Sequence, residues 1–310
     1  MTGVPPHQAR DFVGARDHSS LGRVSAVGAV VLWSAGNVIA AQFDMPGLAI
    51  GFWRLTLGSL VYSAFFYAGG RRIGWNEVRM AAPVAVLFAL ELGLFFTSLH
   101  HTSVANATII GSLQTIVLLA VAARRYRERI GWWLVGVGTV AMGGVVVVVL
   151  GGDGDGGGLN LRGDLLAAVA MLFFSAYFVL VKEVRSRIDT FTLQTVTMTI
   201  GAFVLLPFAA FDAGQALPAF PTWSQWGWLA LLLAIPGTGH FLMNWAHLHV
   251  TLSLAGLLTL AVPVLSTFGA WLFLDQRLSS AQALGMAVVL ASLVLVVRRD
   301  ARLEEAASPG

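Results

Sequence analysis

A single carboxylate interrupts the apolar stretch VAVLFALELGLFFTSLHH at residues 84–101. Glu91 follows seven uncharged residues and precedes nine more. An ionisable group in such a stretch can bind a charged solute, carry a proton or form a buried ion pair. Which chemistry applies depends on whether the stretch lies in water, in a soluble core or in lipid.

Polar side chains recur at the same spacing on a second apolar stretch. An offset of 149 residues takes Glu91 to His240 and Phe95 to Asn244. The members of each set are four residues apart, so they lie on one face of a helix. His240 directly follows PGTG at 236–239. We expect this proline and its glycines to break the helix and free carbonyls beside a binding site, with a simple packing kink as the alternative.

Aromatic and amide side chains on further apolar stretches could complete a site through stacking and hydrogen bonding. The aromatic members could instead serve helix packing. The candidate residues for a substrate site or pathway are Trp33, Asn37, Glu91, Phe95, Gln114, Tyr177, His240 and Asn244.

The composition places these stretches in lipid. The chain has 310 residues, 57% of them hydrophobic and 11% charged, with a mean hydropathy of +0.77. Soluble domains carry about 25% charged residues. The sequence has no cysteine, which excludes disulfides and thiolate metal sites. We find no ATP-binding GxxxxGK[ST] or zinc-binding HExxH motif, and expect no cofactor and no metal ion. The basic residues form no stripe with interleaved aromatics, so nucleic acid is not an expected partner.

Ten stretches are long enough to cross a bilayer, which takes about 20 apolar residues. Both termini then lie on one side, together with nearly all of the 19 Lys and Arg residues; only Arg162 and Arg277 fall in loops on the other side. This bias predicts cytoplasmic termini in the plasma (inner) membrane. The predicted spans are 23–43, 47–69, 79–99, 103–123, 131–150, 164–182, 191–211, 226–247, 252–274 and 280–297.

A Gly- and Asp-rich linker divides the spans into two sets of five. The polar N-terminal tail, for which we expect no cleavable signal peptide, is followed by a first five-helix repeat, and the second repeat is followed by a C-terminal tail. Asp153 and Asp155 in the linker give an incomplete calcium-ligand set, so a flexible connection is the preferred interpretation. The predicted boundaries are 1–22, 23–150, 151–163, 164–297 and 298–310.

The two halves align with each other. Gly22 corresponds to Gly163, and the segment 127–138 corresponds to 275–285. Because each half has five spans, the second half enters the membrane from the opposite side. The predicted fold is therefore an all-α integral membrane protein with ten transmembrane helices arranged as two inverted five-helix repeats, as in many secondary transporters.

Arg54 is a candidate partner for Glu91. Each lies about 12 Å from the outer end of its predicted span, counted at 1.5 Å per residue, and the two spans are neighbours in the chain. One interpretation is a structural ion pair that fixes helix packing. In the other, Glu91 faces a cavity, where it binds an amino group or carries a proton.

The sequence resembles the drug/metabolite transporter superfamily, and in particular bacterial exporters with EamA domains. The resemblance covers residues 22–297 and rests on LWSAGN at 32–37, the arginine of FWRL at 52–55, the segment 239–285 and the ERI hinge at 128–130. It implies ten helices, a cavity lined mainly by spans 1, 3, 4, 6, 8 and 9, and transport of small metabolites, amino acids among them.

Two departures from the family pattern concern local geometry. The pattern has Glu-Arg after spans 4 and 9, and this chain has Glu128-Arg129 after the first but Gln276-Arg277 after the second. The pattern also has a proline within both spans. Pro263 fits it, whereas span 4 has Gln114, which leaves open whether span 4 is bent.

Three functions are compatible with these features. The first is a secondary transporter that exports small amphipathic metabolites, amino acids and aromatic amino acids above all, by alternating access, with the proton as a candidate coupling ion. The second is an exchanger of phosphorylated or nucleotide sugars, which requires cations in the cavity; Arg54 alone qualifies. The third is an intramembrane enzyme with Glu91 and His240 as acid and base, although catalysis has no need of an inverted repeat.

Overall fold

The computed structural model describes residues 19–40, 42–98, 101–102, 104–151 and 160–307, and the regular secondary structure in those ranges is helical throughout. The N-terminal tail to residue 18 and the linker stretch with Asp153 and Asp155 lie outside the described residues. The helices are α1 (Ser19–Ala40), α2 (Gly47–Ala68), α3 (Trp75–Ser98), α4 (Val104–Ser112), α5 (Gln114–Arg125), α6 (Trp132–Leu150), α7 (Leu161–Val184), α8 (Thr190–Ala213), α9 (Trp223–Ala234), α10 (Pro236–Ala246), α11 (Leu252–Leu258), α12 (Ala261–Phe273) and α13 (Ser280–Ala307).

These helices form ten spans that are long and apolar enough to cross a membrane. Seven spans are single helices. The fourth combines α4 and α5, the eighth combines α9 and α10, and the ninth combines α11 and α12. The predicted all-α fold with ten membrane-length spans is confirmed. The last helix runs ten residues past the predicted span end at 297, to Ala307, since its polar final turns need no lipid.

Large apolar side chains cover the outside of the bundle. Phe203, Phe211 and Leu60 are between 65% and 89% exposed, a surface that suits contact with lipid rather than water. Two prolines, Pro83 and Pro207, lie inside α3 and α8. Neighbouring membrane helices tolerate such residues.

Each of the main contacts between a span of the first half and a span of the second half has a counterpart in which the two halves exchange roles. The first span, α1, packs against the eighth and ninth through α10 and α12, and the sixth, α7, packs against the third and fourth through α3 and α4. The second, fourth and fifth spans each pack against their own counterparts, in the pairs α2–α8, α5–α11 and α6–α13. Every span therefore contacts the opposite half.

The hinges after the fourth and ninth spans share a backbone conformation. Arg127 and Asp275 both have φ of 53°, in the left-handed region that side-chain-bearing residues seldom adopt. The next residues repeat the same six-residue hydrogen bond, from Glu128 N–H to Ala122 O and from Gln276 N–H to Ala270 O. Gln276, which stands where the family pattern has glutamate, thus leaves the hinge geometry unchanged.

Two glycines make equivalent contacts at opposite faces of the bundle. A methyl group on Gly22 would overlap His249, in the connection between spans 8 and 9, and one on Gly163 would overlap the backbone of His101, between spans 3 and 4. The first contact lies at the face that carries both described chain ends, here named the terminal face. The second lies at the face next to the linker, here named the linker face. Corresponding contacts at opposite faces are the signature of an inverted repeat.

Three spans are interrupted near the middle of the bundle. Leu113 in span 4 and Leu260 in span 9 have the same dihedral angles, φ −63° and ψ −17°, and each donates its N–H to the carbonyl three residues earlier. Span 4 is therefore interrupted without a proline. Span 8 breaks at Ile235, whose ψ is −75°, immediately before Pro236. The interruption lies directly before PGTG, as the sequence predicted, and it is common to the expected broken helix and to the alternative packing kink.

Candidate functional site

A cavity of about 260 Å³ lies between the two repeats. The six spans expected to line it all contribute, and α2 adds Ile50 and Arg54. The lining comes mostly from the linker-side halves of the spans, as Asn37, Phe95 and Thr108 illustrate. The hollow therefore extends from the linker face to slightly beyond the middle of the bundle.

Aromatic rings form the floor of this cavity. The rings of Trp33 and Phe88 each have their centroids 4.9 Å from that of His240, and the centroid of Phe174 lies 6.2 Å from that of Trp33. His240 is 9% exposed, and its buried Nδ1 has no hydrogen-bond partner in the structure. The break at Pro236 sets the direction of this ring, since His240 lies one turn after it.

The two charged residues in the lining come from neighbouring spans. Arg54 of α2 and Glu91 of α3 both line the cavity, and their charges lie within electrostatic reach of each other. No Arg54 nitrogen lies within 4.0 Å of a Glu91 oxygen, so the predicted structural ion pair is not formed as a direct contact in this structure. Among the described lining residues, Arg54 is the only Lys or Arg.

Amide side chains connect the cavity wall across the two halves. Gln114 Nε2 donates to Thr259 Oγ1 at 3.0 Å, and Thr115 Oγ1 donates to Gly256 O at the same distance. Asn37 Nδ2 donates to Ser266 Oγ at 2.9 Å. The interruptions of spans 4 and 9 thus meet and are joined by side chains.

A hydrogen-bonded chain lies below the aromatic floor. Tyr177 OH donates to Asn244 Oδ1 at 2.8 Å, and Asn244 Nδ2 donates to Gln194 Oε1 at 3.0 Å. The three residues are 1–2% exposed. They join α7, α8 and α10 and separate the cavity from the terminal face.

Two cations close the terminal face beneath that chain. Lys182 Nζ donates to the carbonyls of His247 and Val250, at 3.2 and 2.7 Å. Arg185 Nε donates to Asn244 O at 2.9 Å, and its Nη1 donates to Ile188 O. Cations are favoured at the carbonyl end of a helix such as α10. We name Lys182 and Arg185 the terminal clamp.

The predicted site residues occupy two layers. Six line the cavity, namely Trp33, Asn37, Glu91, Phe95, Gln114 and His240. Tyr177 and Asn244 lie below it and bond to each other. The prediction omitted Phe88 and Phe174, although Phe88 lies three residues before Glu91 on the same face of α3 and Phe174 lies three residues before Tyr177 on α7. It also assigned Arg54 to a structural ion pair and not to the substrate-binding set.

Comparisons with known proteins agree with this architecture. Residues 20–150 and 161–298 each match the model described as the EamA-like transporter family. One solved crystal structure superposes with a TM-score of 0.77 over 92% of this chain and 99% of its own length, at 22% sequence identity. At that identity the match shows the fold alone.

Curated relatives share most of the chain. The pseudopaline exporter CntI of Pseudomonas aeruginosa is 22% identical over 282 residues, which cover 89% of this chain and 96% of the relative. An uncharacterized transporter of Archaeoglobus fulgidus is 26% identical, over 84% of this chain and 91% of the relative. Protein PecM of Dickeya dadantii is 28% identical, over 68% and 72%.

Proposed function

Because this chain belongs to the EamA-like transporter family, we propose that it is a secondary transporter that exports small amphipathic metabolites from the cell. Amino acids, aromatic ones included, are the preferred class. The transporter works in the plasma membrane with both termini in the cytoplasm. It moves its solute by alternating access, in which one repeat rocks against the other, and the proton is the candidate coupling ion.

One observation carries this proposal: a hollow between two inverted halves reaches the middle of the bundle from one face and is closed toward the other. Gln114 and Thr259 lie beside the hollow, and the Tyr177–Asn244 bond lies in the closure. The same packing with the halves exchanged would open the terminal face and close the linker face. Such a two-state arrangement serves transport, whereas catalysis has no use for it.

The lining supports an amphipathic solute of amino-acid size. Drug-sized ligands occupy cavities of about 300–1,000 Å³, so about 260 Å³ suits a smaller solute. Trp33, Phe88 and Phe174 offer aromatic surface. Arg54 and Glu91 offer one charge of each sign, which fits a zwitterion better than the several negative charges of a nucleotide sugar.

Transport by the purified protein in proteoliposomes tests the proposal. Labelled phenylalanine, tryptophan, alanine, a sugar phosphate and a nucleotide sugar are compared, each with and without a pH gradient, against protein-free liposomes. We expect flux of the amino acids, fastest for the aromatic ones. Flux of the phosphorylated solutes alone would contradict the substrate class. Chemical conversion of a solute by the protein in detergent micelles, which enclose no compartment, would contradict transport as the sole activity. A flux that is unchanged under the pH gradient would show that the proton is not the coupling ion.

A further inference from the structure

We propose that Arg54 is the receptor for the carboxylate of the transported solute, with Glu91 binding its ammonium group. This assignment rests on the proposed function and gives it a binding geometry. It replaces a packing role for the two charges with a role in solute selection.

Arg54 is a buried cation without an acceptor. Its residue is 7% exposed, and its Nε and Nη2 have no hydrogen-bond partner. A buried guanidinium normally has its donors satisfied, because an unpaired buried charge is costly. These free donors belong to a side chain that lines the cavity.

Two other cations of the described chain, the half-buried Lys182 and the buried Arg185, show what a structural role looks like here. Lys182 donates to two backbone carbonyls, and Arg185 also donates to two. Lys182 holds the connection after α10, and Arg185 joins α10 to the connection after α7. Arg54 has no such bonds through Nε or Nη2, so a structural role of this kind does not account for its charge beside the cavity.

A carboxylate is the anion that best suits this position. The planar fork of a guanidinium can hold both carboxylate oxygens through parallel hydrogen bonds. Glu91 lies in the same cavity and would repel a solute with several negative charges, but it attracts an ammonium group. A zwitterion satisfies both residues without leaving a net charge in the hollow.

The aromatic floor lies in the same cavity. Phe88 is three residues from Glu91 on α3, which is close to one helical turn, and it packs edge-on against His240. An amino acid bound by its charged groups at Arg54 and Glu91 has this aromatic surface within the same hollow for its side chain. The arrangement recognises the two ends of the solute separately.

Three related solutes test the assignment in proteoliposomes: phenylalanine, phenethylamine, which lacks the carboxylate, and 3-phenylpropionate, which lacks the ammonium group. The uptake of each solute is measured with its own label. We expect the wild type to prefer phenylalanine over phenethylamine by about tenfold or more, as expected for a charge-assisted hydrogen bond in a buried site. Arg54→Gln should abolish that preference and retain phenethylamine binding. Glu91→Gln should abolish the preference over 3-phenylpropionate.

Two controls separate recognition from folding. Arg187→Gln removes an exposed arginine outside the cavity and should keep the wild-type ranking, and size-exclusion profiles compare the folded fraction of every variant. If Arg54→Gln does not fold, Arg54→Lys, which keeps the charge but not the fork, should reduce the preference for phenylalanine.

The outcomes separate the two proposals. A wild type that transports phenylalanine and phenethylamine equally well overturns the role of Arg54, whatever the variants do. A folded Arg54→Gln variant that loses both solutes in equal measure overturns it as well. A wild type that transports none of the amino acids refutes the amino-acid class itself.

Discussion

Gln114 Nε2 donates a hydrogen bond of 3.0 Å to Thr259 Oγ1, and this bond joins the interrupted parts of spans 4 and 9. Gln114 is 4% exposed and stands where the family pattern has a proline. Thr259 itself donates to Gly256 O at 2.7 Å. In the family pattern, a proline interrupts the helix at this position through its ring. In this chain, the hydrogen bond to Thr259 of the opposite repeat supports the interruption.

The bond between Gln114 and Thr259 should contribute measurably to stability. Hydrogen bonds between membrane helices are worth about 0.6 kcal/mol on average, with values up to roughly 2. We expect a coupling free energy in this range from a double-mutant cycle of Gln114→Ala and Thr259→Val, measured by unfolding in detergent. Thr139→Val is the matched control, since the hydroxyl of Thr139 bonds only within its own helix. Additive effects of the two substitutions would show that the bond does not couple the spans.

Two neighbouring glycines in α10 should respond in opposite ways to alanine. A methyl group on Gly239 would lie 2.9 Å from Trp33 Cδ1 and 3.0 Å from Ala29 O, whereas one on Gly237 would meet Leu233 Cδ1 at 3.4 Å. The first substitution pushes α1 and α10 apart and should cost about 1–3 kcal/mol. The second makes an ordinary contact and should be neutral or stabilising by up to about 1 kcal/mol, because alanine favours helix.

Thermal unfolding of Gly239→Ala and Gly237→Ala in detergent measures both signs. Transport should fall with Gly239→Ala even in the folded fraction, because Trp33 belongs to the cavity floor. Equal stability of the two variants would show that α1 and α10 are not in tight contact at Gly239.

The sequence predicted which positions face the cavity where the repeat relation applies. It did not predict contacts that depend on the direction of each side chain. Glu91 and His240 follow from spacing, because i and i+4 residues share a face whatever the packing. The depths of Arg54 and Glu91 also follow from residue counts. Their lack of direct contact does not, since it depends on how far each helix is rotated about its axis, and close contacts such as Gly51 against Leu92 set that rotation.

The sequence also does not predict which residues close the bundle below the cavity. The offset of 149 residues places Asn244 in the predicted binding set, and Tyr177 belongs to that set as an aromatic side chain of span 6. In the proposed alternating-access cycle, their mutual bond belongs to the state that is closed at the terminal face. A residue that lies in a closed gate in one state can contact solute in the other, and a single sequence carries no mark of the state.

Asp189 should give stability a characteristic dependence on pH. It caps α8 by accepting from Phe191 N–H and Thr192 N–H, and it pairs with Arg71 at 2.9 Å. Burial alone would raise the pKa of Asp189, but the hydrogen bonds from Thr192 and Arg71 outweigh burial and lower its pKa below the ordinary 3.8. The carboxylate therefore stabilises the fold fully above the unfolded pKa, and this contribution is lost as the pH falls through the folded value.

Asp189→Asn isolates that charge, because asparagine also caps helices well. We expect the variant to be less stable than the wild type at pH 7 and the difference to shrink at pH values below about 4. Unfolding in detergent across this range measures it. Asp212→Asn, near the exposed end of the same helix, serves as a control that removes a carboxylate without a cap. A difference that is constant with pH would contradict a role for the ionised form.

Removal of one cation should open the terminal face. Lys182 holds two carbonyls after α10, and the offset of 141 residues that relates Gly22 to Gly163 places Ala41 and Asp44 opposite Lys182 and Arg185. In the sequence, the positions that correspond to the terminal clamp therefore carry no cation. Lys182→Gln should shift the population toward the state that is open at the terminal face.

Cysteine accessibility measures this shift, because the natural chain has no cysteine. His247→Cys reports on the terminal face, where His247 is 1% exposed, and Asn37→Cys reports on the cavity. With an impermeant thiol reagent, Lys182→Gln should speed labelling at position 247 and slow it at position 37. The ratio of the two labelling rates should change by about tenfold if the equilibrium shifts by about 1.4 kcal/mol. Arg187→Gln, which removes an exposed cation in the connection after α7, should change neither rate. Faster labelling at both positions would indicate local unfolding in place of alternating access.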